Sequence, residues 1–278
     1  MLQRVLSRHN VQQRGQGART LVFVHGYGCD QRMWRFVAPA FADEYRIVLF
    51  DYVGSGRSDL RAYDPKRYAS LDGYASDLLD VCRALDLHDV VLVGHSVSAM
   101  IGVLAANRAP GLFSSLVMVG PSPRYLNDAA DGYVGGFERA DIEGLLDMMD
   151  HNYVGWASFL APQIMANGDR PDLATELEAS FCSTDPVIAR QFAEATFYAD
   201  NRADLAQVSV PALVMQCSSD IIAPEVVGTY VRDHLADASF RQLSATGHCP
   251  HLSHPQETIE ILREYLIARR SALSPTYQ

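Results

Sequence analysis

The chain has 278 residues, 48% of them hydrophobic and 20% charged. That composition excludes a largely disordered chain, and the length can bury a substantial core, since single α/β domains often run to about 250 residues. A net charge of −10 with scattered arginines leaves no basic face for a nucleic acid and favours small neutral substrates over polyanions.

At the N-terminus Val5, Ser7, His9 and Val11 alternate with other residues, which predicts an edge strand. An arginine-rich, acid-poor start is also compatible with a transit peptide. Valine-rich runs follow at Leu21–Val24, Ile47–Phe50, Val90–Val93 and Leu116–Val119, each meeting a glycine-containing turn, as strands buried on both faces of a parallel sheet do. Ala212–Cys217, entered through Pro211, reads as a fifth such strand and Phe240–Leu243 as a weaker sixth. Between the strands, Tyr74, Leu78, Val81 and Leu85 fall at helical spacing after a start near Asp72. Ile259, Leu262 and Leu266 do the same after Pro255. Strands alternating with helices predict a doubly wound α/β sheet.

Residues 124–200 break the rhythm. Four helix-like stretches near 137–150, 152–166, 171–181 and 186–198, punctuated by Asp169-Arg-Pro171 and Asp185-Pro186, predict a helical insertion between two strands. The expected organisation is a core of residues 1–123 and 201–270, a lid of 124–200 and a flexible tail of 271–278. Cys29, Cys82, Cys182, Cys217 and Cys249 are odd in number and form no CxxC pair. They predict neither a disulfide framework nor a structural zinc, and suit a reducing, cytoplasmic setting. The longest apolar run, Val97–Ala106, is broken by Ser98 and Gly102 and falls short of the ~18 residues of a membrane helix.

Chemistry concentrates where the run Val91–Val93 ends in Gly94-His-Ser96-Val-Ser98 and turns into an apolar helix. A serine there projects its hydroxyl from a strained strand-to-helix turn at the positive end of the helix. The bland alternative is a Gly-Ser turn without chemistry, and Ser98 stands where G-x-S-x-G would have glycine. A serine nucleophile needs a base and the base an orienting carboxylate. Asp220 follows the fifth strand on a loop before Pro224, and His248 follows the sixth after Gly247. His251 and His254 lie close by and raise the question of a metal. Pro250 and Pro255 interrupt any regular helix there, and no carboxylate stands near, so they read instead as a packed loop residue and a helix-start residue. His95 reads as structural. Two backbone N–H groups would serve an oxyanion, from Val97 and from Tyr27 in His25-Gly26-Tyr27-Gly28. Asp51-Tyr-Val-Gly54-Ser-Gly56-Arg-Ser58 lacks the endings of a phosphate loop and reads as a structural turn.

These residues together resemble the α/β-hydrolase superfamily. The segments Gly26–Asp30, Leu49–Gly56, Gly94–Ser98, Phe181–Pro186 and Gly247–Pro255 resemble the RsbQ-like subfamily of bacterial sigma-B stress regulators and its plant relatives, the karrikin and strigolactone receptors. The likeness runs from about Leu6 to Leu266, and serine at position 98 is itself typical of the subfamily. It implies an α/β-hydrolase fold, a mostly parallel sheet flanked by helices with a four-helix lid inserted between strands. By position it implies Ser96 as nucleophile, His248 as base and Asp220 as acid, acting on small apolar esters or butenolide lactones. It also implies a mainly apolar pocket, to which Tyr27, Phe137, Trp156, Phe159 and Phe197 are the candidate contributors. Tyr27 departs from the phenylalanine usual at its position. For bacterial members the resemblance implies partnership with a PAS-domain phosphatase. An acyltransferase or cofactor-free perhydrolase would use the same triad. Halide-displacing and epoxide-opening relatives carry aspartate where this chain has Ser96. The chemistry calls for no metal or organic cofactor.

Overall fold

A computed structural model describes residues 2–273, so most of the expected tail, 274–278, lies outside the described residues. The chain opens with a helix, α1 (Leu2–Arg8), where the alternation predicted an edge strand. Leucine, glutamine and arginine are strong helix formers. Val5 and Leu6 turn toward the body, and the helix stops at Asn10, whose φ of 46° reverses the chain. The edge strand exists but is shorter and later, β1 (Gln12–Arg14), pairing antiparallel with β3.

The remaining strands are β2 (Arg19–Val24), β3 (Tyr45–Leu49), β4 (Val90–His95), β5 (Phe113–Val119), β6 (Ala212–Ser219) and β7 (Ala238–Thr246). They form one sheet in the order β1-β3-β2-β4-β5-β6-β7, parallel except at β1. Every residue of β4 is buried, which is why its sequence runs apolar without alternation. Successive side chains still part to opposite faces. Val22, Val24, Val90 and Leu92 pack against α2 (Leu71–Ala84), α3 (Val97–Arg108) and α9 (Glu225–His234). Leu21, Phe23, Val91 and Val93 pack against Trp34, Phe41 and α11 (Pro255–Leu273). The Ser70 hydroxyl starts α2 by accepting from the Asp72 N–H.

Between β5 and β6 the chain builds α4 (Arg139–His151), α5 (Tyr153–Met165), α6 (Pro171–Cys182) and α7 (Pro186–Phe197), followed by the short α8 (Arg202–Leu205). Their starts are written locally. Glu138 and Asp141 form a capping box on α4, Asn152 caps α5, and proline opens α6 and α7, the latter capped by Asp185. A third apolar cluster joins these helices to the loops above the sheet, with Trp156, Leu160, Leu177, Phe181 and Phe197 meeting Cys29, Met33 and Cys249. The two ends of the insertion are stitched together: Arg124 and Arg202 both pair with Asp200, and Asn201 N–H donates to the Pro123 carbonyl at 2.7 Å. All five cysteines are unpaired. Among the described residues no helix is long and apolar enough to cross a membrane.

Candidate active site

Ser96 ends β4 and begins α3 in a conformation that L-residues rarely adopt, φ 56° and ψ −126°. Two contacts hold it there. Its N–H donates to the Val119 carbonyl at 2.8 Å, and the crossing chain leaves no room at Gly94, where a Cβ would lie 2.6 Å from the Ser98 carbonyl oxygen. Ser98 is fully buried, and its hydroxyl donates to the His25 carbonyl at 2.5 Å and lies 3.1 Å from the Tyr52 hydroxyl. Serine is therefore more than a small residue at this point of the turn: it ties the turn to the loop after β2.

That loop passes directly over Ser96. A Cβ at Gly26 would stand 2.5 Å from His95 Nδ1 and 3.3 Å from Ser96 Cβ, so only glycine lets the backbone through. Tyr27 follows. Val97 is the first residue of α3, where helix geometry leaves the N–H without an intrahelical acceptor.

Asp220 lies just beyond β6. Its Oδ1 accepts from the N–H groups of Ile222 at 2.8 Å and Ala223 at 3.1 Å, so the loop itself fixes the carboxylate. Its Oδ2 stands 2.7 Å from His248 Nδ1, and His248 Nε2 stands 2.8 Å from Ser96 Oγ. A ring nitrogen facing a carboxylate carries the proton, which leaves Nε2 to accept from the serine hydroxyl. The His248 backbone is gripped from both sides. Its N–H donates to the Ile164 carbonyl of α5 at 2.8 Å, and its carbonyl accepts from His95 Nε2 at 2.8 Å. From its place beside Ser96, His95 thus braces the His248 backbone.

Burial shapes the neighbouring rings. His251 stacks on Trp34 with centroids 4.5 Å apart, and burial pushes its pKa down to about 3. Burial, with His251 and His248 close by, also holds His95 well below the ordinary range. Both imidazoles are neutral at pH 7. His254 is half-buried at the start of α11, its Nδ1 3.0 Å from the Ser253 hydroxyl. Asp51 accepts from Gln31 N–H, Arg57 N–H and the Asn10 amide, so the glycine-rich segment around it is the structural turn expected.

Above Ser96 lies a small, mostly apolar cavity of about 40 Å³, lined by Tyr27, Tyr125, Phe181 and Phe197 among others. A serine hydroxyl, an imidazole and a carboxylate thus stand in one hydrogen-bonded row beside that cavity. A model of the alpha/beta hydrolase family matches residues 21–261. The chain belongs to that family. Within it, a strigolactone esterase of Pisum sativum is 39% identical over 90% of this chain and 94% of its own length. A karrikin insensitive 2 receptor of Petunia hybrida is 38% identical over 93% and 95%. Among solved structures, a hydrolase from Oleispira antarctica superposes with a TM-score of 0.93 at 42% identity, covering 95% of this chain and 97% of that one.

The expected pocket residues divide. Tyr27 and Phe197 line the cavity. Trp156 packs behind it on Phe181 and Tyr27, and half-buried Phe137 touches Phe197. Phe159 is a correction: it is 53% exposed. On α5 the buried arc runs through Trp156, Leu160 and Ile164, and Phe159 falls outside it. Sequence reading missed Tyr125, whose hydroxyl is 3.5 Å from Ser96 Oγ and whose pKa burial pushes up to about 12. It also missed Leu160, Ile164, Leu177 and Ile222, which line the cavity. The helical spacing of Leu160 and Ile164 behind Trp156 was the available signal.

Proposed function

We propose that this chain is a serine hydrolase of small apolar esters or butenolide lactones. The observation that carries this is the unbroken row Ser96 Oγ to His248 Nε2 at 2.8 Å and His248 Nδ1 to Asp220 Oδ2 at 2.7 Å. Ser96 Oγ attacks the carbonyl carbon while His248 takes its proton. The N–H groups of Tyr27 and Val97 bind the developing oxyanion. His248 then protonates the leaving oxygen, and water, activated by His248, releases the acyl group. Asp220 holds the imidazole in register and stabilises its charged form. Residues 124–200 act as the lid that keeps water from the acyl-enzyme. The relatives named as a strigolactone esterase and a karrikin receptor support the ligand class.

The test is turnover of a fluorogenic butenolide and of simple esters by wild type and by Ser96→Ala. Loss of turnover by roughly 10⁴-fold or more is expected in the folded variant. Turnover at the wild-type rate would refute the role of Ser96.

The receptor relatives favour a second, compatible reading, in which the ligand-bound chain engages a protein. For a bacterial regulator of this type the partner is a PAS-domain phosphatase. Activation of such a phosphatase by this chain, absent in Ser96→Ala, would support that reading. Equal phosphatase activity with and without the chain would remove it.

A further inference from the structure

Two concavities meet at one side chain. The inner one is the cavity of about 40 Å³ over Ser96. That is several-fold smaller than a usual ligand site, so on its own it takes only part of a substrate. The outer one is a groove of about 590 Å³ between the Gln31–Trp34 turn and α6, in the usual size range of ligand sites. Leu177 lines both, and it is only 2% exposed.

The helix carrying Leu177 is anchored on either side of it. Glu176 receives the Arg35 guanidinium through two contacts of 2.6 Å, and the Ser180 hydroxyl donates to the Gly28 carbonyl at 2.8 Å. Those bonds fix the backbone of α6, so opening a way between the two spaces falls to the leucine side chain, which would have to change its staggered rotamer. The ion pair lies on the groove wall, while Met33 and Leu252 give the groove an apolar share.

We propose that Leu177 is the gate through which substrate reaches Ser96. The acyl carbonyl passes inside and the leaving group stays in the outer groove. Of the charges on the groove wall, Arg32 pairs with Asp30 and Arg35 with Glu176, so the leaving group it accepts is neutral and amphipathic rather than ionic. This inference rests on Ser96 being the nucleophile.

The experiment compares two reagents that form a bond to Ser96 Oγ, expel fluoride and pass the hydroxyl proton to His248. One is a small sulfonyl fluoride and the other a long-chain fluorophosphonate, with adduct formation followed by intact mass. Leu177→Ala joins the two spaces and is expected to raise the fluorophosphonate rate about tenfold relative to the sulfonyl fluoride. Ala179→Trp, on the exposed face of α6 that lines only the groove, is expected to lower the fluorophosphonate rate by a similar factor. It leaves the core intact, so it decides the question alone if Leu177→Ala fails to fold. Labelling of wild type with an unchanged ratio of rates in Ala179→Trp overturns the gate while leaving the nucleophile standing. No labelling of wild type by either reagent overturns both.

Discussion

The two sides of the cavity over Ser96 are built on different principles. Below, Ser96, Asp220 and His248 stand at the C-terminal ends of β4, β6 and β7, and backbone groups hold each one: the Val119 carbonyl for Ser96, the Ile222 and Ala223 N–H groups for Asp220, the Ile164 carbonyl for His248. Above, α5, α6 and α7 contribute Leu160, Leu177, Phe181 and Phe197, held by apolar packing with one another. Backbone-fixed positions tolerate few substitutions and set the chemistry. Packed side chains can be exchanged for others of similar volume and set which molecule fits. The comparison teaches where each kind of variant should show its effect: below the cavity in rate, above it in selectivity and stability.

The sharpest break in that comparison is Asp220→Asn. The shape is kept, and the amide can still accept from Ile222 and Ala223. It no longer presents an anion to Nδ1, so His248 loses the partner that fixes its proton there. We expect kcat to fall by about 10⁴-fold, as is typical when the orienting carboxylate of a triad becomes an amide. The melting temperature should change little. A fall of less than tenfold would mean that Asp220 does not orient the base.

A second effect belongs to the rings beside His248. His251 is neutral in the fold because burial pushes its pKa down to about 3, against an ordinary value of 6.5. Below pH 6.5 the unfolded chain takes up a proton that the folded chain refuses. The stability contributed by the neutral ring is therefore complete above about pH 6.5 and is lost as pH falls toward 3. The slope is at most about 1.4 kcal/mol per pH unit. His95 adds in the same direction. Asp200 acts in a lower window. Burial raises its pKa, but the Arg202 and Arg124 bonds outweigh that and bring it to about 2, so its share goes only below the ordinary carboxylate value. Melting temperatures at pH 7 and pH 5 should thus differ more for wild type than for His251→Phe, which keeps a ring against Trp34. Equal differences in the two proteins would sink the assignment.

What the sequence made legible follows the same division. The turn at Ser96 is contiguous, Gly94 to Ser98, and Gly94 is there for a local backbone reason that a reader can recover. The parallel strands show as valine runs because both of their faces are buried. Asp220 and His248 could be placed because each follows its strand on the next loop. The ceiling was harder. Tyr125 and Ile222 reach the cavity from loops whose paths depend on the whole fold. Among the aromatics of the insertion, residue type says nothing about direction: Trp156 and Phe159 are three residues apart on α5, yet one is buried and the other faces solvent. At the N-terminus a short alternation was outweighed by helix-forming residues, and pairing began only at Gln12. In the sequence Ser98 shows only as a serine standing where G-x-S-x-G has glycine. Its bond to the His25 carbonyl needs two segments 73 residues apart to meet, which no local pattern announces.

Tyr27 spans the divide, and so offers the finest test of it. Its backbone belongs to the lower side and its ring to the upper, meeting Trp156, Phe181 and Phe197. Its hydroxyl donates to the Ala189 carbonyl of α7 at 3.2 Å, which clips α7 to the loop over Ser96. Burial raises the phenol well above its ordinary range, so it remains a neutral donor throughout the working pH range. Tyr27→Phe restores the residue usual in the subfamily, keeps the ring and removes that one bond. The helical carbonyl it leaves retains its place in α7, so the cost should be that of a single net hydrogen bond, about 1 kcal/mol. For a chain of this size that is a loss of roughly 2–4 °C in melting temperature. The backbone N–H is untouched, so kcat on a small ester should stay within about threefold of wild type, a difference well under 1.4 kcal/mol in barrier. A fall in kcat of a hundredfold with the melting temperature unchanged would show that the hydroxyl acts on the chemistry, and the division between the two sides would fail at this residue.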